Sequence, residues 1–134
     1  MIQQEADLAD EKLMIALPGS EEERPSWDRE FALEQAGNDP ELLSELIGIF
    51  LEDAGRLVSE MRAGIDCGDA RKIEMSAHSL KGSVSNFGAV RVRDLAFELE
   101  KQGRSNHLGN ARETLVSLET VYKILAREMR EYVG

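Results

Sequence analysis

The stretch Ser76 to Ala89, SAHSLKGSVSNFGA, sets His78, Lys81 and Gly82 close together. A neutral imidazole is a nucleophile at ordinary pH. A lysine three residues further along a helix lies within side-chain reach and offers positive charge to an anionic substituent. A glycine four residues on deletes the side chain stacked one turn away, so a substituent or partner meets bare backbone. Glycine inside a helix costs roughly 1 kcal/mol relative to alanine, so its presence there asks for a reason. A reactive ring, an anion holder and a cleared approach together suggest a phosphohistidine. One histidine cannot hold a metal alone, and no second His, Cys or acid cluster stands at ligand spacing on this helix.

At about 100° per residue with Ile73 at zero, Ala77, Leu80, Val84 and Phe87 fall within roughly 40° of it on either side. That face is the core. His78 then lies near ~140°, Ser85 near ~120° and Gly82 near ~180°, all on the outer side, with Lys81 near ~80°. Met75, near ~200°, is either partly buried or a docking contact of the flexible apolar kind. To attack, the ring needs one protonated nitrogen and one free lone pair. A carboxylate accepting the Nδ1 proton would set that tautomer and turn Nε2 outward. Lys81 could instead be solvated, or pair with a glutamate of a neighbouring helix.

The elements that carry these residues are read from periodicity. SWDREFALEQAG predicts a short helix with Trp27, Phe31 and Ala32 turned inward and Gly37 at its end. In NDPELL, Asp39 caps, Pro40 suits the first helical position and Glu41 complements the dipole. Leu43, Leu46, Phe50, Ala54, Leu57, Met61 and Ile65 continue as one apolar stripe that stops near Gly64 to Gly68. A third helix starts after Asp69 and ends at Gly88. A fourth runs from Val90 to Gln102 on Val92, Leu95, Ala96 and Leu99, with Gly103 as terminator. In the turn RSNHLGN, Asn106 reads as a cap and His107 as a capping or solvated residue. The last helix carries Leu108, Ala111, Leu115, Leu118, Tyr122, Leu125, Met129 and Tyr132. No segment alternates like a strand. The expected fold is all-α, an antiparallel up-down four-helix bundle with an additional short N-terminal helix.

Composition narrows the partners. The chain has 134 residues, 42% of them apolar, which suits one domain with a single core. Its formal charge of −10 argues against nucleic acid and against direct contact with anionic membranes. The single Cys67 excludes an internal disulfide and reads as a spectator. No stretch resembles a membrane span or a signal peptide, so the expected location is cytoplasmic, as a free domain or the soluble part of a membrane-tethered kinase. Residues 1–24 carry seven acids against Lys12 and Arg24 and are expected to form an acidic linker or tail, with a helical turn near Leu8 to Leu17. Residues 25–134 form the domain. A bundle that closes its own core needs no second copy, so a monomer is expected.

AHSLKGSVSNFGA resembles the motif of the histidine-containing phosphotransfer (HPt) domain family, His-x-Leu-Lys-Gly followed by small residues and Gly-Ala. The likeness extends from Trp27–Asp28 through LLSELIGIFLED to LAFELEKQGR and covers about 110 of the 134 residues. It implies a four-helix bundle in which His78 accepts a phosphoryl group from one receiver-domain aspartate and passes it to another. It implies that Lys81 steadies the phosphate and that Gly82 leaves the approach open. Glu100 matches a Gln or Glu that orients the imidazole, and Arg104 falls where some members carry a basic residue near the phosphate. Met75 and Ser85 would then face the partner, a receiver of a response regulator or hybrid kinase. The chain has no Walker-type loop and no acidic cluster suited to Mg²⁺, so no cofactor is expected, and any Mg²⁺ belongs to the receiver. On this reading the chain is a phosphocarrier more than an enzyme. The alternative is a helical docking module that binds a receiver or kinase and never carries phosphate.

Overall fold

A computed structural model of the chain describes residues 26–134. The expected turn near Leu8 to Leu17 lies outside them. Five helices follow in order: α1 (Arg29–Gln35), α2 (Pro40–Cys67), α3 (Ala70–Ser85), α4 (Val90–Ser105) and α5 (Ala111–Val133), with no strand among the described residues. The connections between the long helices are too short to do anything but reverse the chain. Each long helix packs on the next, and α5 returns against α2 to close an up-down bundle.

Side chains start the first three helices. Asp28 accepts from the Phe31 amide, Asp39 from Glu41 and Leu42 with Pro40 behind it, and Asp69 from Lys72. Each aspartate satisfies amides that no helical carbonyl can reach. The α2 helix ends at Gly68 in the left-handed conformation, with φ of 71°.

The core consists of the stripes that face inward, including Leu43, Ile47, Phe50 and Met61 of α2, Ile73, Leu80 and Val84 of α3, Leu99 of α4, and Leu118, Leu125 and Met129 of α5. Two apolar residues expected inside are outside. Leu46 is exposed and its neighbour Ile47 is fully buried, because the inward line of α2 runs 43, 47, 50 and 54. Phe31 is exposed as well; Ala32 takes the inward position of α1, and Trp27 is buried ahead of the helix instead of within it. The Trp27 ring stands edge-on to Tyr132 at 5.5 Å and to Phe87 at 6.4 Å. Asp28 donates its amide to the Phe87 carbonyl. The segment from Trp27 to Asp28 thereby ties α1 to the α3–α4 turn and the end of α5.

Gly103 does not terminate α4, which continues to Ser105. A Cβ at this position would stand 2.7 Å from both the Ala70 carbonyl oxygen and the Glu74 nitrogen. The glycine is therefore the place where α4 lies directly on the backbone of α3. The residue that ends α4 is Asn106, left-handed with φ of 57°, and the N-terminal flank of α5 is Asn110. Asn106 thus closes one helix and does not open the next.

Candidate functional site

Close approach of α3 and α4 brings His78 within reach of Glu100. The Nδ1–H of His78 donates to Glu100 Oε2 at 2.9 Å. An ionised carboxylate only accepts, so the contact assigns the proton to Nδ1 and the lone pair to Nε2. The histidine side chain is 66% exposed while that of Glu100 is 3% exposed. Nε2 has no hydrogen-bond partner among the described residues. One ring nitrogen is anchored in the bundle and the other faces outward.

Glu100 is the centre of the cluster. Arg104, one turn later on α4, donates from Nη2 to Oε2 at 2.7 Å and from Nε to Glu74 Oε2 at 3.2 Å. The Lys81 ammonium lies 2.7 Å from Oε1, as a close ion pair more than a well-directed hydrogen bond. A buried carboxylate without partners would be very costly, and here three cationic or donor groups meet it. Burial pushes its pKa up, and the contacts with Lys81 and His78 outweigh burial, leaving it below the ordinary carboxylate value.

The remaining residues singled out from sequence lie around this centre without joining it. A Cβ added at Gly82 would meet nothing within 4 Å, so the space beside His78 is open. Met75 is 53% exposed. Ser85 is exposed, and its hydroxyl donates back to the Lys81 carbonyl of its own helix at 2.8 Å. Lys81 is therefore paired in this state, not solvated, and Glu100 is no surface acid.

Two neighbours escaped the sequence. Glu74 holds the far side of the Arg104 guanidinium. Phe97, 42% exposed on α4, has the ammonium groups of both Lys81 and Lys101 at 4.7 Å from its ring centroid. The four-residue step from Phe97 to Lys101 was a legible signal; the approach of Lys81 from the facing helix was not. Among the described residues no three His, Cys, Asp or Glu side chains are grouped to hold a metal ion. None of the described helices is long and apolar enough to cross a membrane.

The sequence model of the Hpt domain matches residues 45–131. The chain belongs to the Hpt domain family. Its solved structural neighbours include histidine-containing phosphotransfer protein B from Pseudomonas aeruginosa PAO1, at a TM-score of 0.76 and 25% identity, covering 81% of this chain and 95% of that one. Histidine-containing phosphotransfer protein 2 of Arabidopsis thaliana is 28% identical over 100 residues, 72% of this chain and 64% of its own length. A rice relative, pseudo histidine-containing phosphotransfer protein 2, is 23% identical over 100 residues, 73% of this chain and 66% of its own. This Hpt domain therefore spans just under two thirds of those two plant proteins.

Proposed function

We propose that this Hpt domain is a phosphorelay intermediate of two-component signalling, taking a phosphoryl group onto His78 from a receiver-domain aspartyl phosphate and handing it to a second receiver aspartate. The observation that carries the reading is the anchored, outward-facing ring, with Nδ1–H on buried Glu100 and Nε2 free. The Nε2 lone pair attacks phosphorus and the N–P bond forms. The P–O bond to the receiver aspartate breaks, and its electron pair leaves with the carboxylate. The ring, still protonated on Nδ1, becomes cationic, and the Glu100 carboxylate at 2.9 Å offsets that charge. The second transfer runs the same path in reverse.

In this scheme Lys81 and Arg104, both paired with the carboxylate that anchors His78, are the cations that meet an arriving phosphoryl group, and each must loosen a carboxylate contact to do so. Gly82 keeps the approach open, and Met75 and Ser85 belong to the face the receiver covers. The receiver supplies Mg²⁺ and the activation of its own aspartate, so this chain acts as phosphocarrier. Incubation with an acetyl-phosphate-charged receiver is expected to leave an acid-labile, base-stable label on the wild type and none on His78→Gln. The name of the rice pseudo relative favours a second reading, docking without phosphate. Persistent receiver binding with no label from any cognate receiver would establish that reading and end the first.

A further inference from the structure

Phe97 has no role in the core. Its ring is 42% exposed, yet it lies three residues before the buried carboxylate at the centre of the cluster. The Lys81 ammonium is held between two groups of different kind, Glu100 Oε1 at 2.7 Å and the Phe97 ring at 4.7 Å. A lysine stem is flexible, and its charge otherwise sweeps a wide volume of solvent. The buried carboxylate alone would draw the ammonium into the bundle, away from the outward Nε2. The aromatic face is half at the surface and attracts a cation through its quadrupole. It carries no net charge, so it does not repel an incoming anion as a carboxylate does. An ammonium can therefore release Glu100 and keep the ring.

We propose that Phe97 is a positioning residue, whose ring keeps the Lys81 ammonium at the mouth of the site when it exchanges Glu100 for the phosphoryl group. This rests on the reading of Lys81 as the cation that meets the phosphate. Lys101 reaches the same ring at 4.7 Å but also pairs with Glu98 at 3.4 Å, and it marks the ring as a cation-binding surface in its own right.

The test compares Phe97→Leu, which keeps apolar bulk and removes the quadrupole, with Phe97→Tyr, which keeps both. The ring is half exposed, so both variants are expected to fold, checked by circular dichroism. In the full chain, the Lys81 side-chain NMR signals should be shifted upfield by the ring in the wild type and in Phe97→Tyr, and should return to ordinary values in Phe97→Leu. Labelling from a charged receiver at saturating concentration should slow by about two- to fivefold in Phe97→Leu, the factor that matches a partly exposed cation–π contact. Phe97→Tyr should restore it. An unshifted Lys81 in the wild type, or an unchanged rate at saturation in Phe97→Leu, would overturn the proposal. So would a loss confined to the receiver concentration giving half-maximal rate, which would make Phe97 a docking contact. Should the wild type itself take no label, the relay reading fails, and the NMR comparison still decides whether the ring holds Lys81.

Discussion

Gly103 and Gly82 lie on facing helices, and the structure assigns opposite signs to the same substitution at each. At Gly103 an added Cβ would stand 2.7 Å from the Ala70 carbonyl oxygen, 2.7 Å from the Glu74 nitrogen and 3.0 Å from the Glu74 Cα. All three are backbone atoms and cannot turn away. Ordinary contact begins near 3.4 Å, so α3 and α4 must separate by 3.4 − 2.7, or 0.7 Å. Overpacking of this kind costs about 1–3 kcal/mol, and the gain in helix propensity from glycine to alanine returns at most roughly 1 kcal/mol. Three rigid backbone contacts put the cost in the upper part of that range, about 2–3 kcal/mol. Gly103→Ala should therefore destabilise the bundle by a net of about 1–2 kcal/mol, lowering the melting temperature by roughly 4 °C or more. At Gly82 nothing stands within 4 Å of the added methyl, and only the propensity gain remains. Gly82→Ala should stabilise by roughly 1 kcal/mol. Urea and thermal unfolding of the two variants and the wild type read both signs. The separation in Gly103→Ala also falls at Glu74, one turn before His78, so the 2.9 Å contact from His78 to Glu100 should loosen, visible as a change in the His78 ring nitrogen shifts. A Gly103→Ala variant as stable as the wild type, with those shifts unmoved, would refute the idea that this glycine sets the helix spacing on which the site depends.

Glu100→Gln keeps an acceptor for the His78 Nδ1–H and removes the charge that Lys81 and Arg104 share. The Glu100 carboxyl has its pKa below the ordinary value in the folded chain, so its charge adds stability that is fully present above the unfolded pKa and disappears as pH falls through the folded one. The stability gap between wild type and Glu100→Gln in urea unfolding should thus be present at neutral pH and shrink only below about pH 4; a gap undiminished near pH 3 would contradict the assignment. Trp27 is buried with no acceptor for its indole N–H among the described residues, so its contribution is ring packing. Trp27→Ala should cost about 3–5 kcal/mol in the same assay and loosen α1 from the α3–α4 turn, and a cost under roughly 1 kcal/mol would show that α1 adds nothing to the bundle.

Sequence alone determined the helices and the outward face of His78, because both depend on local order. Apolar spacing marks a helical stripe, and Asp39 and Asp69 cap the helices that follow them whatever lies nearby. The angular step from Ile73 also carries His78, Gly82 and Met75 to the outside without knowledge of any other helix. Choices between adjacent candidates were not local. Leu46 and Ile47 are both apolar, and only the position of the other helices selects Ile47 for the core. A glycine near the end of a helix can stop it or admit a neighbour, and Gly103 is the second kind because α3 lies against it. The meeting of His78, Lys81 and Arg104 on Glu100, and of Lys81 on Phe97, was likewise decided in three dimensions. Arg104 lies one turn from Glu100 on the same helix, but the pairs of His78 and Lys81 with Glu100, and of Lys81 with Phe97, join α3 to α4 at one level of the bundle. That level follows from helix separation and turn length, which periodicity does not contain.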